Sequence, residues 1–130
     1  MKYFFIIFLL LSTHSFSKEK FEIEFEWGDI PKCKFGKSSN VSNPIFTLKN
    51  VPEGTSYIQF KMFALNNPGF DHGGGKVKYT GQSKIEPGAF KYLSPCPPRG
   101  ISSYKWTATA RSDKKKKLAK ASAKRKYPEK

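Results

Sequence analysis

Few residues in this 130-residue chain could do chemistry. There are two histidines, His14 and His72, and two cysteines, Cys33 and Cys96. His14 sits in an apolar N-terminal run, so histidine chemistry in the body of the chain falls to His72, within Asp71-His72-Gly73-Gly74-Gly75. Imidazole is the side chain whose charge changes close to neutrality. Three glycines in a row can take positive φ or approach another group closely. Their amides could form a concave anion site together with His72, or simply turn a corner. A zinc site would have to combine His72 with Cys33, Cys96 and Asp71, and that spacing matches no metal pattern. No metal, cofactor or catalytic residue is expected.

The second unusual stretch is Ser94 to Trp106. Pro95, Pro97 and Pro98 surround Cys96, and Gly100 follows. Proline fixes φ and cannot donate to a sheet ladder, so Pro95 to Pro98 forms a rigid loop. Such a loop is a corner or one wall of a pocket, and it is expected to meet the His72 loop. Two cysteines in an oxidising compartment favour a disulfide over two buried thiols. Such a bond would contribute on the order of 3–4 kcal/mol by constraining the unfolded chain. The His-Gly-Gly-Gly string matches the oxyanion loop of lipases. The chain nevertheless lacks a Gly-x-Ser-x-Gly elbow and any βα alternation, which argues against a hydrolase.

Lys2, an apolar run from Tyr3 to Leu11 and small residues at Ser15 and Ser17 predict a signal peptide over residues 1–17. The run is half of the roughly 20 apolar residues a spanning helix needs. The expected product is one exported domain over 18–130, periplasmic or secreted, with no transmembrane segment. Basic residues outnumber acidic ones 24 to 10, for a formal net charge of +14. Between Arg111 and Lys130 lie ten basic residues and two acidic ones. That end is either a solvated hairpin or a docking element for an acidic partner.

The elements that must position these loops read as strands. Phe21, Ile23, Phe25 and Trp27 alternate with Glu22, Glu24 and Glu26, a half-buried strand. Cys33 to Pro44 reads as a long loop and Ile45 to Leu48 as a short strand. Ser56 to Leu65 is the most apolar run after the N-terminus, a central strand. Lys76 to Thr80 alternates as a one-sided strand, Gly81 to Gly88 turns, and Ala89 to Leu93 is short and extended. Ser103 to Arg111 places Tyr104, Trp106, Ala108 and Ala110 on one face. Leu118 to Tyr127 fits either a helix or a strand. Short strands at even spacing and no firm helix predict an all-β antiparallel sandwich or barrel.

With both loops in view, the sequence resembles the phosphatidylethanolamine-binding protein (PEBP) family in its small bacterial exported form. The matching pieces are Cys33 with Asn40-Val41-Ser42-Asn43-Pro44, Val51-Pro52-Glu53-Gly54-Thr55, Asp71 to Gly75, and Pro95-Cys96-Pro97-Pro98-Arg99-Gly100 leading to Tyr104. They cover roughly Cys33 to Arg111 in order, and the proline-cysteine element is the most specific. The resemblance implies a Greek-key antiparallel β-sandwich and a non-enzymatic domain. It also implies a small pocket for phosphate-like head groups, formed by His72, Gly73, Gly74, Gly75, Pro97 and Tyr104. It further implies that Leu118 to Tyr127 is the last strand. Two departures stand out. The family's Asp-x-Asp-x-Pro loop falls on Ala64-Leu65-Asn66-Asn67-Pro68, and a histidine expected after the proline loop falls on Ser102. The expected function is binding of a small anionic ligand in that pocket. The alternative is an interaction protein whose Lys-rich end, residues 111–130, docks on an acidic protein, anionic lipid or nucleic acid.

Overall fold

The alternation of apolar and charged residues becomes strands across the computed structural model, which describes residues 19–129. The expected signal peptide, residues 1–17, lies outside the described residues. β1 (Glu22–Glu26), β3 (Ile45–Lys49) and β6 (Lys84–Ile85) form one antiparallel sheet. β2 (Asn40–Ser42) pairs with β7 (Lys91–Leu93). β5 (Gly74–Lys78), β4 (Tyr57–Ala64), β8 (Ser102–Arg111) and β9 (Lys117–Tyr127) lie in that order in a four-stranded sheet. The chain leaves the large sheet after β5, makes β6 and β7 elsewhere, and returns as β8 beside β4. The result is an all-β antiparallel sandwich, one of the two architectures that the periodicity predicted, with the Greek-key link that the family resemblance implied.

Each sheet turns one face inward, because side chains alternate across a strand. Ile58, Phe60, Met62 and Ala64 from β4 meet Tyr104, Trp106, Ala108 and Ala110 from β8, all buried. Phe25 and Phe46 close the core from the opposite layer. Phe46 stacks on Phe60 at 4.3 Å between ring centroids and meets Trp106 edge-on at 5.2 Å. Full burial of each such ring contributes about 1.5–3 kcal/mol. β1 runs alongside β9 without a ladder; the Trp27 indole instead donates to the Lys126 carbonyl at 2.9 Å.

Several expectations need correction in detail. The stretch Cys33 to Pro44 is not all loop, since it contains β2. The turn Gly81 to Gly88 contains the two-residue β6. β5 starts earlier than the alternation from Lys76 suggested, taking in Gly74 and Gly75. Leu118 to Tyr127 is strand, and its Ala119, Ala121 and Ala123 pair with Ala110, Ala108 and Trp106 of β8. Small side chains there let β9 sit against the wide Trp106.

Candidate functional site

Three loops converge at the end of the sandwich where β4 stops and β8 begins. The first follows β4. Leu65 donates its N–H to the Ser103 carbonyl at 3.0 Å, and Asn67 and Phe70 turn back through bonds to Ala64 and Asn67. Asn66 Nδ2 donates to Ser102 Oγ at 3.2 Å, tying this loop to the start of β8. The loop ends at Asp71, whose carboxylate accepts the Gly73 N–H at 2.8 Å. That local bond fixes a corner at Gly73, which has φ 75°.

The second is the proline loop between β7 and β8, and the third runs from Cys33 to Ser39. They are joined by the Cys33–Cys96 disulfide, with Cα atoms 5.6 Å apart. Ser94 N–H donates to the Ser39 carbonyl at 2.9 Å, and Ser39 N–H donates to Ser94 Oγ at 3.1 Å. The two thiols that a zinc reading would need are thus bonded to each other.

His72 is the hinge between the first two loops. Its carbonyl accepts the Leu93 N–H, and its Nδ1 lies 2.8 Å from the Leu93 carbonyl. A carbonyl only accepts, so Nδ1 carries the proton and Nε2 keeps a lone pair. The ring is 4 % exposed, edge-on to Phe70 at 4.6 Å and to Tyr104 at 5.6 Å. Burial pulls the imidazole below its ordinary 6.5; the Leu93 hydrogen bond and the Asp71 carboxylate offset this only in part. His72 is therefore neutral at pH 7. Burial also raises the Tyr104 phenol, with the Cys96 backbone and the Ser102 hydroxyl pulling the other way.

Between the loops lies a cavity of about 650 Å³. Gly36, Lys37 and Ser38 line it from the third loop, and Cys96 and Pro98 from the proline loop. Ala64, Asn66, Asn67, Phe70 and His72 come from the first, with Leu93 and Tyr104 from the strands beneath. Among the described lining residues Lys37 is the one lysine, and there is no arginine or carboxylate. Size and lining suit a small molecule with several polar groups.

The expected site residues divide in two. His72 and Tyr104 line the cavity together. Pro97 is not in the lining, to which the proline loop contributes Cys96 and Pro98. Gly73, Gly74 and Gly75 are not in the lining either, and of their two readings, anion site or corner, the geometry matches the corner. The Gly73 amide is spent on Asp71, and Gly74 and Gly75 pair with Lys61 and Phe60 in the ladder. These two glycines serve packing. A Cβ on Gly74 would collide with the Phe60 carbonyl, and one on Gly75 would sit 2.5 Å from the Phe90 ring.

Lys37, Ser38, Asn67 and Phe70 escaped the sequence reading. Asn66 and Asn67 had a signal, since they occupy the stretch where the family carries its aspartate loop. Lys37 and Ser38 follow from the disulfide, which draws their loop onto the proline loop. Nothing in the sequence marks Phe70.

No family model matches the sequence, and no curated protein matches it. A comparison of folds does find a match, a crystal structure described as a phosphatidylethanolamine-binding protein (PEBP) homolog from Chlamydia trachomatis. It aligns over 88% of this chain and 100% of its own, with a TM-score of 0.58 and 14% identity. The sandwich is thus shared where the sequence has diverged, and the protein has the fold of the phosphatidylethanolamine-binding proteins.

Proposed function

We propose that the protein is a non-enzymatic binding module, acting after export, that holds a small phosphate-bearing anion in the cavity beside His72. The carrying observation is the pinned imidazole. Nδ1 is committed to the Leu93 carbonyl, so Nε2 is the ring's remaining polar atom in the wall of a cavity of about 650 Å³. Lys37 would supply charge, and Asn66, Asn67 and Tyr104 hydrogen bonds. A neutral Nε2 accepts the O–H of a monoprotonated phosphate, and a protonated ring becomes a second cation for the dianion. The name of the Chlamydia homolog points to the same ligand class. Binding rather than catalysis is favoured because no hydrogen bond joins His72 to Ser38 or to another nucleophile among the described residues.

Isothermal titration with inorganic phosphate and phosphorylethanolamine tests this reading. Heat of binding is expected from the wild type, with affinity falling about tenfold or more in His72→Ala, the cost of one hydrogen bond to a charged group. Absence of heat, or equal affinity in His72→Ala, overturns it.

A further inference from the structure

Strand order gathers a cation array on the outer face of the four-stranded sheet that no single stretch of sequence contains. Burial of Ile58, Phe60, Met62 and Ala64 puts Lys61 on the opposite, outward face of β4. The register extends that face. Lys61 stands opposite Thr107 and Thr107 opposite Ser122, while Phe63 stands opposite Lys105 and Lys105 opposite Lys124. Arg111 on β8 and Lys120 and Lys126 on β9 fall on the same side. On β5, Lys76 and Lys78 stand opposite Gln59 and Tyr57 and complete it.

None of these eight cations forms an ion pair among the described residues. The ion pairs found there are Lys49–Glu24, Lys84–Glu86 and Arg125–Glu129. Glu22 and Glu24 border the face, across a groove shared with Lys105 and Lys120. Arg111 bonds the neutral Gln59 at 3.1 Å. Lys61 and Lys76 lie over the rings of Phe63 and Tyr57 on the same face. Lys105 and Lys124 are direct cross-strand neighbours of like charge, an arrangement that destabilises a sheet. An opposing layer of negative charge would relieve it.

We propose that this face docks on the head groups of an anionic lipid bilayer. The cations spread in two dimensions over four strands, which matches a charged plane better than the single line of phosphates in a nucleic-acid strand. Of the large exposed apolar residues, Phe35 and Phe70 lie on the cavity loops and Leu65 and Ile101 just beyond the ends of β4 and β8, so the strands of this face carry lysines and none of these four. Adsorption is therefore electrostatic, reversible and salt-sensitive. It is independent of what the cavity holds.

The test is co-sedimentation with phosphatidylcholine vesicles, with and without phosphatidylglycerol, using the expected exported product, residues 18–130. Binding is expected to the anionic vesicles alone and to fall as salt is raised. Each lysine removed from the face should cost about fivefold in partition, so Lys61→Gln/Lys105→Gln/Lys124→Gln together should cost about a hundredfold. Lys114→Gln/Lys115→Gln/Lys116→Gln, in the β8–β9 turn, removes equal charge and should cost far less. Lys124→Gln alone, at an exposed position, gives the fivefold effect without risk to the fold. Equal losses in the two triple variants overturn the proposal. So does indifference to anionic vesicles, or a preference for a DNA oligonucleotide over them.

Discussion

At the scale of single residues, two buried polar side chains organise the chain, and they differ in how much they cost. Asn43 is 1 % exposed and fully bonded. Its Oδ1 accepts the N–H groups of Gly88, Ala89 and Phe90, and its Nδ2 donates to the carbonyls of Pro44 and Glu86. Asn43→Ala strands those groups and should destabilise the fold by about 3–5 kcal/mol, read by denaturant unfolding. His72 is the other. Unfolded, its imidazole titrates near 6.5, whereas folded it holds off the proton to lower pH because burial disfavours the charge. As pH falls through 6.5 the unfolded chain takes up a proton that the fold refuses, so stability is lost across the window down to the folded value. The wild type should lose more stability than His72→Gln between pH 7.5 and that window. Parallel pH profiles of the two proteins would refute the assignment. His72 was legible as the one histidine in the body of the chain. Asn43 was not, because four of its five partners lie more than 40 positions away.

At the scale of elements, alternation revealed what was long and one-sided. β1, β4 and β8 could be read directly, since each buries every second residue. β2 and β6 have three and two residues, too short for any period to register. They exist through their partners β7 and β3. β9 was ambiguous because its alanines and lysines serve helix and strand equally, and only pairing with β8 decides. The glycine triplet stayed open between an anion site and a corner for the same reason, since only pairing with β4 places Gly74 and Gly75 in the ladder. Gly74→Ala should therefore damage the β4–β5 pairing, costing more than about 2 kcal/mol through overpacking, read as a lowered melting temperature. A variant as stable as wild type would contradict the packing role. Cys33→Ser should remove about 4 kcal/mol, as expected when a 63-residue separation is no longer closed. It should also weaken phosphate binding, because Lys37 then loses its tether to the proline loop.

At the scale of the whole molecule, the sandwich keeps two kinds of surface apart. One end holds the cavity, walled by loops that strand order and one disulfide bring together. The broad face of the large sheet holds the lysines, whereas the Lys114 to Lys116 turn lies at the end of β8 and β9 remote from the cavity. The convergence of the His72 and proline loops could be read from motif order. The make-up of the cavity could not, since Lys37, Phe70 and Leu93 come from segments with no chemical mark. The cation face was equally hidden, because its lysines come from four strands whose order follows from packing.

The most direct test of the proposed binding site is the NMR titration of the His72 ring, the one imidazole left once residues 1–17 are removed. In the free protein its midpoint should lie below 6.5. A phosphate-bearing ligand seated against Nε2 favours the charged ring, so saturation with phosphorylethanolamine should raise that midpoint clearly. A midpoint that does not move at saturating ligand would show that the cavity beside His72 is not where an anion binds.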